Sequence, residues 1–318
     1  MGVSVAEYLG KRTDIDNPVI VPVHVETDKD RRRILKQQGA IPGCPFVCGN
    51  MCKKIASGNE PVCSVRKPDG TLWLNCSERL CATKSGIPLS EYQSEILLQV
   101  GKYIYNQSVT REQICVKREA RLSVIERTDY NADFIIALQG GNQHSSGPER
   151  LVLEMQGGGE TTNTGEMTAH IRRWKAAPSP TNEYLRRATA ASTLEANAWR
   201  RQQEQFIVKG NIAMKTLRGC GIAFCVGTLL FDYLMGKLAS AHLPDLREHN
   251  WTLALIGFKE DTSGTRQDSS ISLIVDEDRL LYTNYQTFVQ ALINQGEPTP
   301  NAFRGDFINL NNQPVTFD

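Results

Sequence analysis

The stretch GCPFVCGNMCKKIASGNEPVCSVRKPDGTLWLNCSERLC, residues 43–81, holds six of the chain's nine cysteines. They are Cys44, Cys48, Cys52, Cys63, Cys76 and Cys81. Glycine, proline and lysine break the stretch up, and its apolar residues keep neither a helical nor a strand period. That texture belongs to a small module held by a metal. The N-terminus has no apolar run preceded by positive charge, so a secretory leader is not expected and the compartment is read as cytoplasmic. In a reducing compartment, clustered thiols point to metal more than to disulfides. Four thiolates hold zinc or iron tetrahedrally. The spacing is not a double CxxC, so several sets of four remain open, as does a group of buried free cysteines.

The remaining chain is ordinary for a soluble globular protein, with 40% hydrophobic and 22% charged residues and a net charge of +1. Its most apolar segment, Gly221 to Leu243, is interrupted by Asp232 and Lys237. Its uncharged run is too short to span a membrane. It reads as a buried helix, or as a strand followed by a helix. At roughly 150 residues per domain, 318 residues make two domains, or one large domain with an insertion. We divide the chain into an N-terminal helical segment (1–38), a four-cysteine metal-binding module (39–85) and a main domain (86–318).

Helices are expected over 5–12, over 28–38 with the solvated charge run DKDRRR, and over 90–105. The last carries the stripe Ile96, Leu97, Val100 and Ile104 behind a Ser90 cap. Further helices are expected over 181–218 and near 284–296, the second capped by Asn284. Strands are expected at ADFIIAL (132–138), RLVLEM (150–155), WTLALIGF (251–258) and SISLIVD (270–276). Helices and strands mix without a strict alternation, which predicts a mixed α/β or α+β fold.

RLVLEMQ, residues 150–156, is a hydrophobic strand that carries a carboxylate and an amide. Glu154 and Gln156 share a face with Val152, because side chains alternate along a strand. If 132–138 and 150–155 form an antiparallel hairpin with Leu138 facing Arg150, Asp133 lies across from about Met155, beside Glu154. Two carboxylates held together repel and favour a divalent cation between them. Oxygen ligands with open positions for water suit Mg²⁺, which can activate water and stabilise charge on a phosphodiester. Gln156 supplies no positive charge but can orient the attacking water by hydrogen bonding. The plainer reading is an edge hairpin whose polar face meets solvent.

His24–Glu26 (HVE), followed by CPFVC, echoes the zinc deaminase pattern H-x-E…P-C-x-x-C. Here Pro45 follows the first cysteine and three residues separate the pair, so the spacing departs from that pattern.

Together these features resemble the NotI- and EagI-type restriction endonucleases, a PD-(D/E)XK nuclease subgroup with an inserted four-cysteine metal module. VAEYLGKR resembles the family's opening helix, GCPF…C…VC…WLNCSERL its metal module, and ADF…VLEMQ its active site, where Gln replaces the usual Lys. NWTLALIGFKED resembles a late strand. The resemblance runs through most of the chain. It implies a PD-(D/E)XK core, a structural iron or zinc on Cys44, Cys52, Cys63 and Cys76, and catalytic Asp133, Glu154 and Gln156 with Mg²⁺. Cys48 and Cys81 have no counterpart, and Ser77 stands where the family tends to have Pro. Glu119 is the candidate for a further upstream acid, or a surface charge beside Arg118 and Arg121.

The implied activity is type II cleavage of double-stranded DNA at a palindromic, GC-rich site. A homodimer and a cognate DNA methyltransferase would be the partners. Between Gly165 and Cys220, ten Lys or Arg face four Glu, so this segment is +6 and the remainder about −5. Such asymmetry fits phosphate neutralisation. Arg172, Arg173 and Lys175, around Trp174, are candidate DNA contacts, against the plainer reading of a solvated helix face. The loop GGGETTNTGE (157–166) would approach a groove closely or be mobile. The rival function is a catalytically inactive, metal-module DNA-binding regulator.

Overall fold

The computed structural model describes residues 2–14, 20–82, 84, 86–123, 129–140, 146–216, 220–263, 270–294 and 303–317. Strands β1 (Ser4–Tyr8) and β2 (Lys11–Arg12) form a hairpin in which Tyr8 pairs with Lys11. The helix expected over 5–12 is therefore absent. Leu9 and Gly10 both take left-handed φ, 46° and 73°, as a two-residue hairpin turn requires. Gly10 also has no room for a side chain, since a Cβ there would meet Pro45 at 2.3 Å.

Helix α1 (Lys29–Gln37) is capped by Asp28 and buries no side chain, as its run of charges predicts. The cysteine-rich stretch contributes α2 (Lys53–Ala56), β3 (Val62–Arg66) and β4 (Leu72–Leu74). β3 pairs with β1, giving a small sheet in the order β2-β1-β3-β4. Helix α3 (Glu91–Ile104) starts at a Ser90–Gln93 capping box and buries Ile96, Leu97, Val100 and Ile104, the expected stripe.

Next come β5 (Ile114–Leu122), β6 (Tyr130–Leu138) and β7 (Arg150–Gln156), then α4 (Thr164–Lys175), α5 (Asn182–Leu185) and α6 (Glu195–Lys215). The helical region expected over 181–218 is thus two helices with a break, and α4 occupies part of the stretch read as a loop. The apolar segment resolves into β8 (Gly221–Gly227) and α7 (Thr228–Leu238). The chain continues through β9 (Leu253–Glu260), β10 (Leu273–Thr283) and α8 (Tyr285–Ile293), the last capped by Asn284. A hairpin of β11 (Gly305–Ile308) and β12 (Pro314–Phe317) follows.

The six-stranded sheet runs β10-β9-β8-β7-β6-β5. β7, β8 and β9 are parallel, and the flanking pairs are antiparallel. α4, α6, α7 and α8 cover one face with Trp174, Phe206, Leu234 and Phe288. α3 covers the other, against Phe134, Leu153, Cys225 and Ile256. The architecture is mixed α/β around one mixed sheet. No helix among the described residues is long and apolar enough to cross a membrane.

Two contacts lock the cysteine-rich stretch onto this sheet. Glycines after Gln156 let backbones meet: Gly159 N–H donates to Leu74 O at 3.1 Å, and Gly227 N–H to Gly157 O at 3.2 Å. A Cβ on Gly158 would stand 2.8 Å from Leu74 O, so the glycine run serves close packing. The second contact is a buried ion pair. Arg79 donates to Glu7 at 2.6 and 3.0 Å, to Tyr92 Oη at 2.6 Å and to Ile271 O. Glu7 also accepts from Ser64 Oγ at 2.5 Å and Ile271 N–H at 2.8 Å. Both side chains are fully buried. Arg79→Ala strands the Glu7 charge, so it should lower unfolding stability by about 3–5 kcal/mol in urea titrations. A loss below about 1 kcal/mol would mean that the pair behaves like an exposed one.

Candidate active site and cysteine cluster

β6 and β7 pair through Ala137–Arg150, Ile136–Leu151, Ile135–Val152 and Phe134–Leu153. The register is one residue from the expected Leu138–Arg150. Continuing it sets Asp133 level with Glu154 itself rather than with Met155. Residues 141–145 of the connecting loop lie outside the described residues. Beyond Phe134 the ladder gives way to side chains. Met155 N–H donates to Asp133 Oδ2 at 2.9 Å, and Asp133 N–H approaches Glu154 Oε1 at 3.4 Å. The two carboxylates are thus brought together near the carboxyl end of a parallel strand, where open α/β sheets tend to bind ligands.

Glu154 is 3% exposed. Burial first, then the Asp133 charge, push its carboxyl up to about 7, while Lys209 pulls it down. Burial also raises the Asp133 carboxyl, against the Met155 N–H and the charge of Lys209. Each carboxylate has one anchored oxygen: Glu154 Oε2 takes the Lys209 ammonium at 2.7 Å, and Asp133 Oδ2 takes Met155 N–H. Among the described residues no donor engages Asp133 Oδ1, and Glu154 Oε1 has only the long 3.4 Å contact. Those two oxygens fit a divalent cation whose other ligands are water and substrate.

Lys209 was missed from sequence. It lies on α6 at 2% exposure, in line with buried Phe206 and Ala213. Spacings of three and four put these residues on one helix face. A lysine inside an apolar helical stripe was the available signal.

Gln156 is half-buried, and its amide Nε2 donates to Gly158 O. It lines a cleft of about 270 Å³ between the cysteine-rich stretch and α6, with Lys53, Lys54, Asn75, Ser77, Asn197 and Arg201 also in the wall. Lys53 pairs with Glu78 at 3.1 Å, and Arg201 with Glu160 at 2.7 Å. A neighbouring groove is lined by Arg172 and Arg173, and Asn59 borders both. Both arginines are exposed. Lys175 differs: its ammonium bonds Glu60 at 2.6 Å and is largely covered. It is committed inside the fold, because α4 turns this position toward Tyr8 rather than toward solvent.

Glu119 is exposed and holds a left-handed φ of 45°. Pairs Arg118–Phe134 and Ala120–Ala132 bracket it, so it shares a row with Asp133 across the β5–β6 ladder. A non-glycine residue held there marks local strain, a feature that gathers at functional sites. Glu78 is a second carboxylate near the pair, buried and close enough to raise Asp133.

Cys76 is an electrostatic neighbour of Cys44, Cys52 and Cys63, and Cys44 of Cys52. Burial raises all four thiols, Cys44 up to about 11. Backbone N–H groups oppose this at every sulfur: Phe46 and Val47 at Cys44, Ile55 and Lys54 at Cys52, Gly10 at Cys63, and Glu78 at Cys76. The Gly10 N–H lies 3.3 Å from Cys63 Sγ. Cys48 is exposed, and Cys81 packs in the α3-side core with Asp133 as its charged neighbour. Donor type and N–H support fit a thiolate-bound metal. Yet among the described residues no three His, Cys, Asp or Glu side chains stand close enough together to hold one as arranged. His24 is 80% exposed and 3.8 Å from Glu26, which gives the deaminase pattern no enclosed ligand.

No known family model matches the chain, and no curated protein is significantly similar to it.

A carboxyl raised by folding contributes stability below its unfolded pKa and loses it as pH rises through its folded pKa. With Glu154 at about 7 against an ordinary 4.5, metal-free protein should lose about 3 kcal/mol from this group between pH 4 and 8. Glu154→Gln should lack that loss. Denaturant titrations in EDTA check this, and identical pH slopes would contradict it. Elemental analysis should find about one iron or zinc per chain, released by Cys63→Ser and kept by Cys48→Ser. Retention in Cys63→Ser would overturn the ligand set.

Proposed function

We propose that this protein is a Mg²⁺-dependent type II restriction endonuclease with a PD-(D/E)XK core, cutting double-stranded DNA at a short palindrome. One observation carries the reading: Asp133 and Glu154, 21 residues apart, converge with one anchored and one open oxygen each. Mg²⁺ held by those oxygens supplies a polarised water and charge stabilisation on the phosphodiester. Asp133 and Glu154 would hold the ion. Gln156 has its Nε2 committed to Gly158 O, which leaves its carbonyl oxygen to accept from the attacking water and orient it. Glu119, in the row of Asp133, is the further acid.

DNA would lie along the cleft above Gln156 and the adjoining groove. Lys53, Lys54 and Arg201 line the first, and Arg172 and Arg173 the second. Positive side chains there would neutralise phosphates, and arginine can read guanine in the major groove. The iron or zinc on Cys44, Cys52, Cys63 and Cys76 would draw the thiols together and brace the Lys53–Lys54 wall. A palindrome implies a two-fold dimer with one active site per strand. A cognate DNA methyltransferase would protect host sites.

The rival reading, a DNA-binding regulator without catalysis, draws on the near-complete burial of Glu154 and Lys209. Glu154→Ala separates the two. It should lower cleavage with Mg²⁺ by at least about 1,000-fold while site-specific binding in Ca²⁺ stays near wild type. Undiminished cutting would remove Glu154 from the site.

A further inference from the structure

The proposed nuclease lacks a lysine at residue 156, and α6 brings one to the carboxylate pair from elsewhere. Lys209 Nζ donates to Glu154 Oε2 at 2.7 Å. An ammonium carries three N–H donors. Among the described residues Glu154 is the one acceptor that engages it, although Lys209 is only 2% exposed. Burying donors without acceptors is costly. A fold that needed only a counter-ion for Glu154 would not have to bury two further N–H groups that meet no acceptor among the described residues.

We propose that Lys209 is a catalytic residue of this nuclease, its two remaining N–H groups receiving a non-bridging oxygen of the scissile phosphate and the attacking water. This rests on the nuclease reading above. The division of labour with Gln156 is chemical. Gln156 offers a carbonyl oxygen, so it accepts from the water. Lys209 offers only donors and a full positive charge, so it binds the oxygen on which negative charge grows. Such fixed donors, aimed where charge develops in a site closed to water, are the strongest general source of rate.

In the reaction the water oxygen bonds to phosphorus and the bond from phosphorus to the leaving sugar oxygen breaks. The water gives one proton to solvent, and the leaving oxygen takes one from solvent. Lys209 stays protonated throughout. A helix can deliver what the strand lacks because Glu154 is common to both: Oε2 faces α6, and Oε1 faces Asp133.

The test is single-turnover cleavage of one sequenced plasmid by wild type, Lys209→Gln and Lys209→Arg. Lys209→Gln keeps a donor for Glu154 and loses the charge. It should cleave about 100-fold more slowly per folded protein, while plasmid binding in Ca²⁺ stays near wild type. Lys209→Arg should recover the rate to within about tenfold. If Lys209 only supports the fold, both variants would cleave in proportion to their folded fraction, which overturns the proposal. Wild-type rates in Lys209→Gln overturn it too, leaving the nuclease reading intact. Should Lys209→Gln not fold, Lys209→Ala with added ethylammonium carries the test. Cleavage restored in step with the amine supports the assignment, and no restoration in folded protein overturns it. A folded wild type that leaves every DNA intact overturns the nuclease reading and this assignment together.

Discussion

The buried Glu7–Arg79 pair fixes how the two sheets meet. Glu7 belongs to the small sheet and Arg79 to the cysteine-rich stretch. Glu7 bonds β3 through Ser64, Arg79 bonds α3 through Tyr92, and both bond Ile271 on the approach to β10. The Arg79 guanidinium also covers the Phe46 ring at 4.4 Å. Two charges taken out of water repel most arrangements, since any misfit leaves one of them unpaired. The contact therefore selects one seating of the cysteine-rich stretch. Glu78, the preceding residue, and its partner Lys53 come with it and become electrostatic neighbours of Asp133.

From that seating the candidate site follows. The glycines after Gln156 let β4 close on the end of β7, and the cleft forms between that stretch and α6. Two residues before Gln156 in its wall, Glu154 meets Asp133; burial pushes both carboxyls toward the neutral state, and at Glu154 the Asp133 charge adds to it. One lysine offsets part of this. The remainder is a local shortage of positive charge, which is why the pair is read as a cation site. On the proposed reading, a metal held by Cys44, Cys52, Cys63 and Cys76 would tie the Lys53–Lys54 wall of the same cleft to the thiol cluster.

Much of this was legible in the sequence where local chemistry decides structure. Ser90, Asn284 and the stripe from Ile96 to Ile104 fixed two helices, because caps and periodicity act within a few residues. Asp133 and Glu154 could be paired because a hairpin converts sequence distance into proximity, although the register was one residue out. Residues 5–12 misled: Val5, Ala6 and Tyr8 suit a helix as well as a strand, and the Leu9–Gly10 turn decides only with β3 present. Lys209 was illegible as a partner, since a crossover separates α6 from β7. Lys175 looked free among arginines, and only the tertiary contact with Glu60 withdraws it.

The central claim is that the carboxylate pair cuts DNA. The most direct measurement is to incubate the purified protein with a sequenced phage DNA and Mg²⁺ and to map the ends. The account predicts discrete fragments whose ends all fall at one short palindromic sequence, with none formed in EDTA. Intact DNA, or ends scattered without a common sequence, would contradict it.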